Sequence, residues 1–240
     1  MVGHTQNHLK HALYRVAPKN TLLLWQYCNG TLFILKSQAM TTSTQPSFQP
    51  DIILASTSRY RRELLQRLRL PFNVHRPEVD ETPLAGETPA TLAQRLAVAK
   101  AQAVSVKHPQ TLVIGSDQVA DLHGQAIGKP GNYDKAFEQL RRMSGQTVIF
   151  QTAVSVVCQA SAFQQCELVA VKVEFRQLND AEIDRYLRAE EPYDCAGSAK
   201  SEGLGITLLN AIHNDDPTAL IGLPLIATAR LLRAAGVSLP

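Results

Sequence analysis

After residue 51 the hydrophobic positions of this chain alternate between two rhythms. The runs Ile52-Ile53-Leu54-Ala55 and 111–114 are short, apolar and uninterrupted, as buried strands are. Between them, Leu64, Leu65 and Leu68 stand at helical spacing within 59–69. Leu92, Leu96, Ala99 and Ala103 form a stripe along 88–106, where Thr88 can cap a helix and Pro89 suits its first turn. Pro109 stops that helix, and 121–124 reads as a hairpin turn. Further on, 133–143 predicts a helix, and 147–158 and 166–175 predict long strands, the second alternating Val169, Val171, Val173 and Phe175. A helix over 180–189, a strand over 205–211 and a closing helix over 224–235 complete the pattern. Strands interleaved with helices predict an α/β layered fold with a mixed sheet.

Residues 1–50 are different in kind. They hold Lys10, Arg15, Lys19 and Lys36 but no Asp or Glu, and 40–50 is a Ser/Thr/Gln/Pro stretch. Such a segment reads as a linker or disordered tail, or as sequence preceding a start at Met40; an acid-free start also suits an organelle transit peptide, but a single Arg is thin support. The 240-residue chain carries a net charge of +3, yet 51–240 contains 20 basic and 21 acidic groups, which argues against a broadly basic nucleic-acid surface. No run of 18 apolar residues occurs, and 21–35 is broken by Gln26, Asn29 and Gly30, so no membrane span is expected. Cys28, Cys158, Cys166 and Cys195 lack CxxC or zinc-ligand spacing and are expected to be reduced thiols in a cytosolic compartment.

Candidate chemistry gathers where strands end. Ser56-Thr57-Ser58-Arg59-Tyr60-Arg61-Arg62 puts two serine hydroxyls and three arginines at a strand-to-helix turn. A helix N-terminus offers unpaired N–H groups and a positive dipole end, so arginines there call for an anion: a phosphate site without a glycine loop. A serine cap followed by solvated arginines remains the alternative. Glu78, Asp80 and Glu81 could hold a hard divalent cation or activate water, although by themselves they read as a solvated loop. Lys100 falls inside the apolar arc of its helix, where a lysine snorkels or faces something negative; its mid-helix position favours the second. Asp117 follows the strand over 111–114, either as a site carboxylate or as a turn former after Gly115-Ser116. Gly124 to Pro130 imitates a P-loop but is one residue short and has Pro130 where Ser or Thr belongs; Lys129 could still touch phosphate.

Taken together, these segments resemble the Maf family of nucleotide pyrophosphatases. The resemblance runs from Ile52 to Gly236 through eight motifs in order: SxSxxRRxLL from Ser56, VDET from Val79, RLAxxKA from Arg95, GSDQV from Gly115, GKP from Gly128, LRRMSG from Leu140, AGSAKSEGxGI from Ala196 and GLPL from Gly222. It implies a two-lobed α/β fold with a mixed sheet flanked by helices and an active-site cleft between the lobes. It makes 51–240 the catalytic domain and 1–50 an extension. It implies hydrolysis of a nucleoside triphosphate between the α and β phosphates with a divalent metal, Mg or Mn. The resemblance assigns catalysis to Asp117, Glu81 and Lys100, phosphate binding to Ser56, Ser58, Arg61 and Lys129, and the metal to Glu81 and Asp117. Tyr60, Gln118 and Glu202 fall where the family distinguishes bases, and here they look like the branch acting on 7-methyl-GTP, although that branch often has Pro-Trp in place of Arg59-Tyr60. A cationic methylated base suits an aromatic face and a carboxylate. The resemblance further implies a small nucleotide as the partner, a homodimer in the cytoplasm, and a house-cleaning role that keeps modified nucleotides out of nucleic acid. A pyrophosphatase for dTTP or UTP, and a non-catalytic nucleotide-binding regulator of septum formation, are the alternatives.

Overall fold

The computed structural model describes residues 50–240 and, before them, two strands, β1 (Leu23–Cys28) and β2 (Thr31–Lys36). The chain divides into two units, 1–47 and 48–240. In the first, β1 and β2 pair antiparallel across two residues. The readings of a linker over 40–49 and of a start at Met40 lie outside the described residues.

The second unit is built on one mixed seven-stranded sheet. Its strands are β3 (Ile52–Ala55), β4 (Asn73–His75), β5 (Leu112–Leu122), β6 (Gln125–Ile127), β7 (Thr147–Cys158), β8 (Phe163–Phe175) and β9 (Leu209–His213). The order is β4-β3-β5-β7-β8-β9, with β6 on β5. β3 runs parallel to both β4 and β5, and the remaining pairs are antiparallel. Five helices complete the unit: α1 (Arg59–Gln66), α2 (Pro89–Ser105), α3 (Tyr133–Met143), α4 (Asp180–Glu190) and α5 (Leu225–Ala234). Among the described residues no helix is long and apolar enough to cross a membrane.

Period-two alternation divides the near half of the sheet between two layers. Ile52, Leu54, Leu112, Ile114, Val154 and Val156 face Leu64 and Leu65 of α1 and Ala227, Leu231 and Leu232 of α5. Ile53, Ala55, Val113 and Val157 face Ala101 and Val104 of α2. The far halves of the long strands feed a separate core. There Ala120, Phe150, Val171 and Phe175 pack with Leu140 of α3 and with Ile183 and Leu187 of α4. Two cores strung on shared strands give the two lobes.

Two sequence expectations are corrected. The strand expected over 111–114 continues to Leu122, so Gly115-Ser116-Asp117 is strand interior rather than the following turn. The reason is pairing: β3 leaves β5 at the Ala55–Gly115 pair, while β7 stays paired through Asp121. The strand expected over 205–211 begins later. Leu204–Leu208 is a 3₁₀ turn in which Gly205 N–H bonds to the Lys200 carbonyl at 3.1 Å, and the strand proper is β9. The hairpin turn expected over 121–124 is present, with His123 and Gly124 both at positive φ, as a tight turn that follows strand twist requires.

Candidate active site

The parallel strands β3 and β5 open a crevice at their shared end, and the loop after β3 enters α1 there. Ser58 caps α1, its Oγ accepting from the Arg61 N–H at 3.4 Å, and buried Ser56 accepts from the Ser58 N–H at 3.1 Å. The first turn of α1 contains no acidic residue to offset its positive end. A cleft of about 700 Å³ lies over it, walled by Ser56 to Arg61, by Arg76 to Val79, by Glu81, by Lys100 and, from the other lobe, by Lys129 and Asp194.

Strand parity and one glycine set the catalytic wall. Along β5, Val113, Gly115, Asp117 and Val119 face α2. A Cβ at Gly115 would stand 2.2 Å from the Ala97 carbonyl oxygen and 2.6 Å from Ala101 N. Only glycine lets α2 lie this close, and the close approach brings Lys100 to Asp117. Lys100 Nζ donates to Asp117 Oδ1 at 2.6 Å and pairs with Glu81 Oε1 at 2.9 Å. Lys100 is 5% exposed and Asp117 7%, so the pair is largely screened from water. The helical-wheel expectation that Lys100 faces a negative group holds.

Glu81 arrives on a loop with no regular structure, and its fixing points are side chains. Arg95 of α2 donates to the Thr82 carbonyl at 3.0 Å and clamps Glu87 with bonds of 2.6 and 2.8 Å. The Arg95 guanidinium holds the Glu87 carboxyl down at about 2, so the clamp is charged throughout the neutral range. Asp80 closes the turn by accepting from the Thr82 N–H at 2.9 Å. Arg95 belongs to a motif visible in the sequence, but its work as a brace shows only once the loop is folded back.

Arg61 is aimed by a carbonyl. Its Nε donates to Gly222 O at 2.7 Å, and the same oxygen accepts from Ser116 Oγ at 3.0 Å. With Nε engaged, the guanidinium tip is left for the cleft. Desolvation lowers the Arg61 pKa from its ordinary value, while Asp117 and Glu81 oppose the shift; arginine stays charged regardless. Lys129 is exposed at the rim, with no ion pair among the described residues.

The three residues expected near the base are placed differently. Tyr60 lines the cleft. The Arg59 guanidinium lies 4.7 Å from its ring centroid and donates to its hydroxyl at 2.7 Å, and Lys200 Nζ stands 6.0 Å from the same centroid. Glu202 is exposed on the loop before Leu204, and partial desolvation raises its pKa, with Glu190 adding to the shift and Lys200 opposing it. Gln118 does not line the cleft. It follows Asp117 on a strand, so it leaves by the opposite face, where its amide nitrogen meets Thr152 Oγ1 at 3.0 Å and the carbonyls of Ala219 at 3.0 Å and Leu220 at 2.9 Å. It ties down the turn that presents Gly222.

Several residues were not singled out from the sequence. Arg76, Thr57 and Asp194 line the cleft, and Glu190 binds Lys200 and the Leu204 N–H beside Gly203. Cys195 adjoins Tyr60; burial, helped by Asp194, pushes its thiol up to about 12, so it is neutral at physiological pH. Cys158, Cys166 and Cys195 are free thiols.

Two carboxylates sharing one ammonium are a donor set that fits a hard divalent cation. Magnesium commonly takes one or two protein carboxylates and completes its shell with substrate phosphates and water. Among the described residues no three His, Cys, Asp or Glu side chains converge as an all-protein cage.

A 7-methyl-GTP pyrophosphatase of Polaromonas sp. (strain JS666 / ATCC BAA-500) is 62% identical over 211 residues, 88% of this chain and 96% of that protein. One from Albidiferax ferrireducens is 65% identical over 189 residues, covering 79% and 95%. One from Bordetella pertussis is 58% identical over 192 residues, covering 80% and 96%. Among solved structures, the Staphylococcus aureus Ham1 protein overlaps in part, with a TM-score of 0.41 at 17% identity over 53% of this chain and 72% of that one. The pattern described as Maf-like protein matches residues 51–235, and the chain belongs to that family.

Proposed function

We propose that this protein hydrolyses 7-methyl-GTP to 7-methyl-GMP and diphosphate, clearing a modified nucleotide before it reaches nucleic acid. The observation that carries the reading is the buried Lys100–Asp117 pair, joined by the exposed Glu81, beside a cleft that is lined by the start of α1 and by the further cations Arg59, Arg61, Arg76 and Lys129. Curated relatives named for this activity, at up to 65% identity, support the substrate.

The chemistry follows from the residues. Ser56, Ser58 and the first turn of α1 accommodate phosphate oxygens, and Arg61 and Lys129 balance their charge. Water attacks the α-phosphorus, Asp117 takes its proton, and the bond to the bridging oxygen breaks as diphosphate leaves. Lys100 keeps Asp117 oriented and faces the charge that grows on the phosphate. Glu81 and Asp117 would hold a divalent cation, magnesium or manganese. Such an ion, when bound, would neutralise charge on the triphosphate oxygens. Tyr60 offers the base an aromatic face. The enzyme works as a cytoplasmic homodimer in this reading, which light scattering of the purified protein would check.

The test is a panel of normal and modified nucleoside triphosphates, each with magnesium or manganese, assayed for released diphosphate. Preference for 7-methyl-GTP supports the reading. Preference for dTTP or UTP would move the protein to a pyrimidine-directed activity, and binding without turnover would make it a regulator.

A further inference from the structure

The ring on which the base is proposed to stack is already in use. Arg59 lies over Tyr60, its Cζ 4.7 Å from the ring centroid, and one guanidinium nitrogen donates to the phenol oxygen at 2.7 Å. Lys200, tethered to Glu190, stands 6.0 Å from the same centroid. The chain thus places one planar, delocalised cation where a second one, the N7-methylated guanine ring, is to sit. Arg59 is exposed and is the first residue of α1, so it is free to swing aside.

We infer that Arg59 is a specificity-determining residue that competes with the base for Tyr60, and competes harder against a cationic base than against a neutral one. The inference rests on the reading that the base stacks on Tyr60. A neutral guanine must also lift the guanidinium off Tyr60, but it can then carry Arg59 stacked on its outer face, because arginine also stacks on uncharged rings. A methylated guanine cannot share the space on equal terms. Two like charges a few ångströms apart repel, so Arg59 gains no such stacking on the methylated ring and its lost contact with Tyr60 goes uncompensated. Arg59 therefore narrows the margin by which this site prefers a cationic base. Asp194, across the cleft and close enough to act on the Arg59 charge, is where the displaced guanidinium would turn.

Product nucleotides test the inference without turnover. Calorimetric titration with 7-methyl-GMP and with GMP gives two dissociation constants for the wild type, Arg59→Gln and Arg59→Lys. Arg59→Gln should tighten 7-methyl-GMP over GMP by about two- to fivefold, the ratio that corresponds to one exposed cation–π contact. Arg59→Lys keeps the charge and should stay near the wild-type ratio. The gain in Arg59→Gln should shrink at about 1 M salt, where charges more than roughly 3 Å apart are screened. An unchanged ratio in Arg59→Gln, or an equal shift in Arg59→Lys, overturns the inference. If 7-methyl-GMP binds as expected but 7-methyl-GTP releases no diphosphate, the proposed activity fails while the role of Arg59 stands.

Discussion

The two walls of the cleft are made differently. On the catalytic wall, Asp117 projects from β5 and Lys100 from α2, both are buried, and Gly115 locks the two elements together at backbone contact. On the base wall, Arg59 is exposed and Tyr60 half-buried, while Glu202 lies off the cleft lining, exposed on a loop between 3₁₀ turns. Burial is what gives a charge pair its strength, and solvent is what weakens it. Chemistry is therefore held where a substitution is expensive. Base selection is held where single replacements change little beyond the base itself, so the two properties can vary independently.

The largest effect expected from breaking the comparison lies at Lys100. Lys100→Met takes away the only ion-pair partner of the buried Asp117 carboxylate among the described residues, leaving it facing Glu81 with Arg61, beyond ion-pair distance, as the remaining nearby cation. Stability should fall by about 3–5 kcal/mol in denaturant unfolding, as when one partner of a buried pair is removed. Diphosphate release should fall by about a hundred- to a thousandfold, as when a transition-state donor is lost. A variant of wild-type stability would place Lys100 in better-solvated surroundings than the structure shows.

Arg61→Ala sharpens the comparison from the phosphate side. Arg61 addresses a part shared by all nucleotides, so efficiency should drop about ten- to a hundredfold on every one of them, the loss of one charge-assisted hydrogen bond. A defect confined to one base would contradict its assignment.

The two walls also differ in how far they could be read from sequence. The stripe along α2 and the Lys100 within it leave a choice between snorkelling and a negative partner, which the contact with Asp117 decides, and the run into α1 offers an anion site or a serine cap, of which the structure shows the Ser58 cap. The β5 strand was cut short because Gly115-Ser116-Asp117 has turn chemistry; pairing with β7 overrides that local preference. The short strand hid a consequence, since only a continuous strand sends Asp117 and Gln118 to opposite faces. The family resemblance places Gln118 beside the base, whereas in the structure it braces the Ala219–Ile221 turn. The carbonyl that aims Arg61 lies 161 residues away in sequence, beyond any local pattern.

The smallest effect is expected at Glu202. Its carboxylate is exposed, and an exposed charge contributes about 0.2–1 kcal/mol, so Glu202→Gln should lower the preference for 7-methyl-GTP over dTTP by no more than about fivefold. Stability should not change. A shift of a hundredfold would mean that the loop closes over the base and buries this residue.

The most direct test of the account is Asp117→Asn, an isosteric change at the buried end of the Lys100 contact. The purified variant, saturated with magnesium, is assayed for diphosphate release from 7-methyl-GTP and, by calorimetry, for nucleotide binding. The account predicts that binding survives within a few-fold while turnover nearly disappears. Turnover close to wild type would remove Asp117 from catalysis and contradict the central claim.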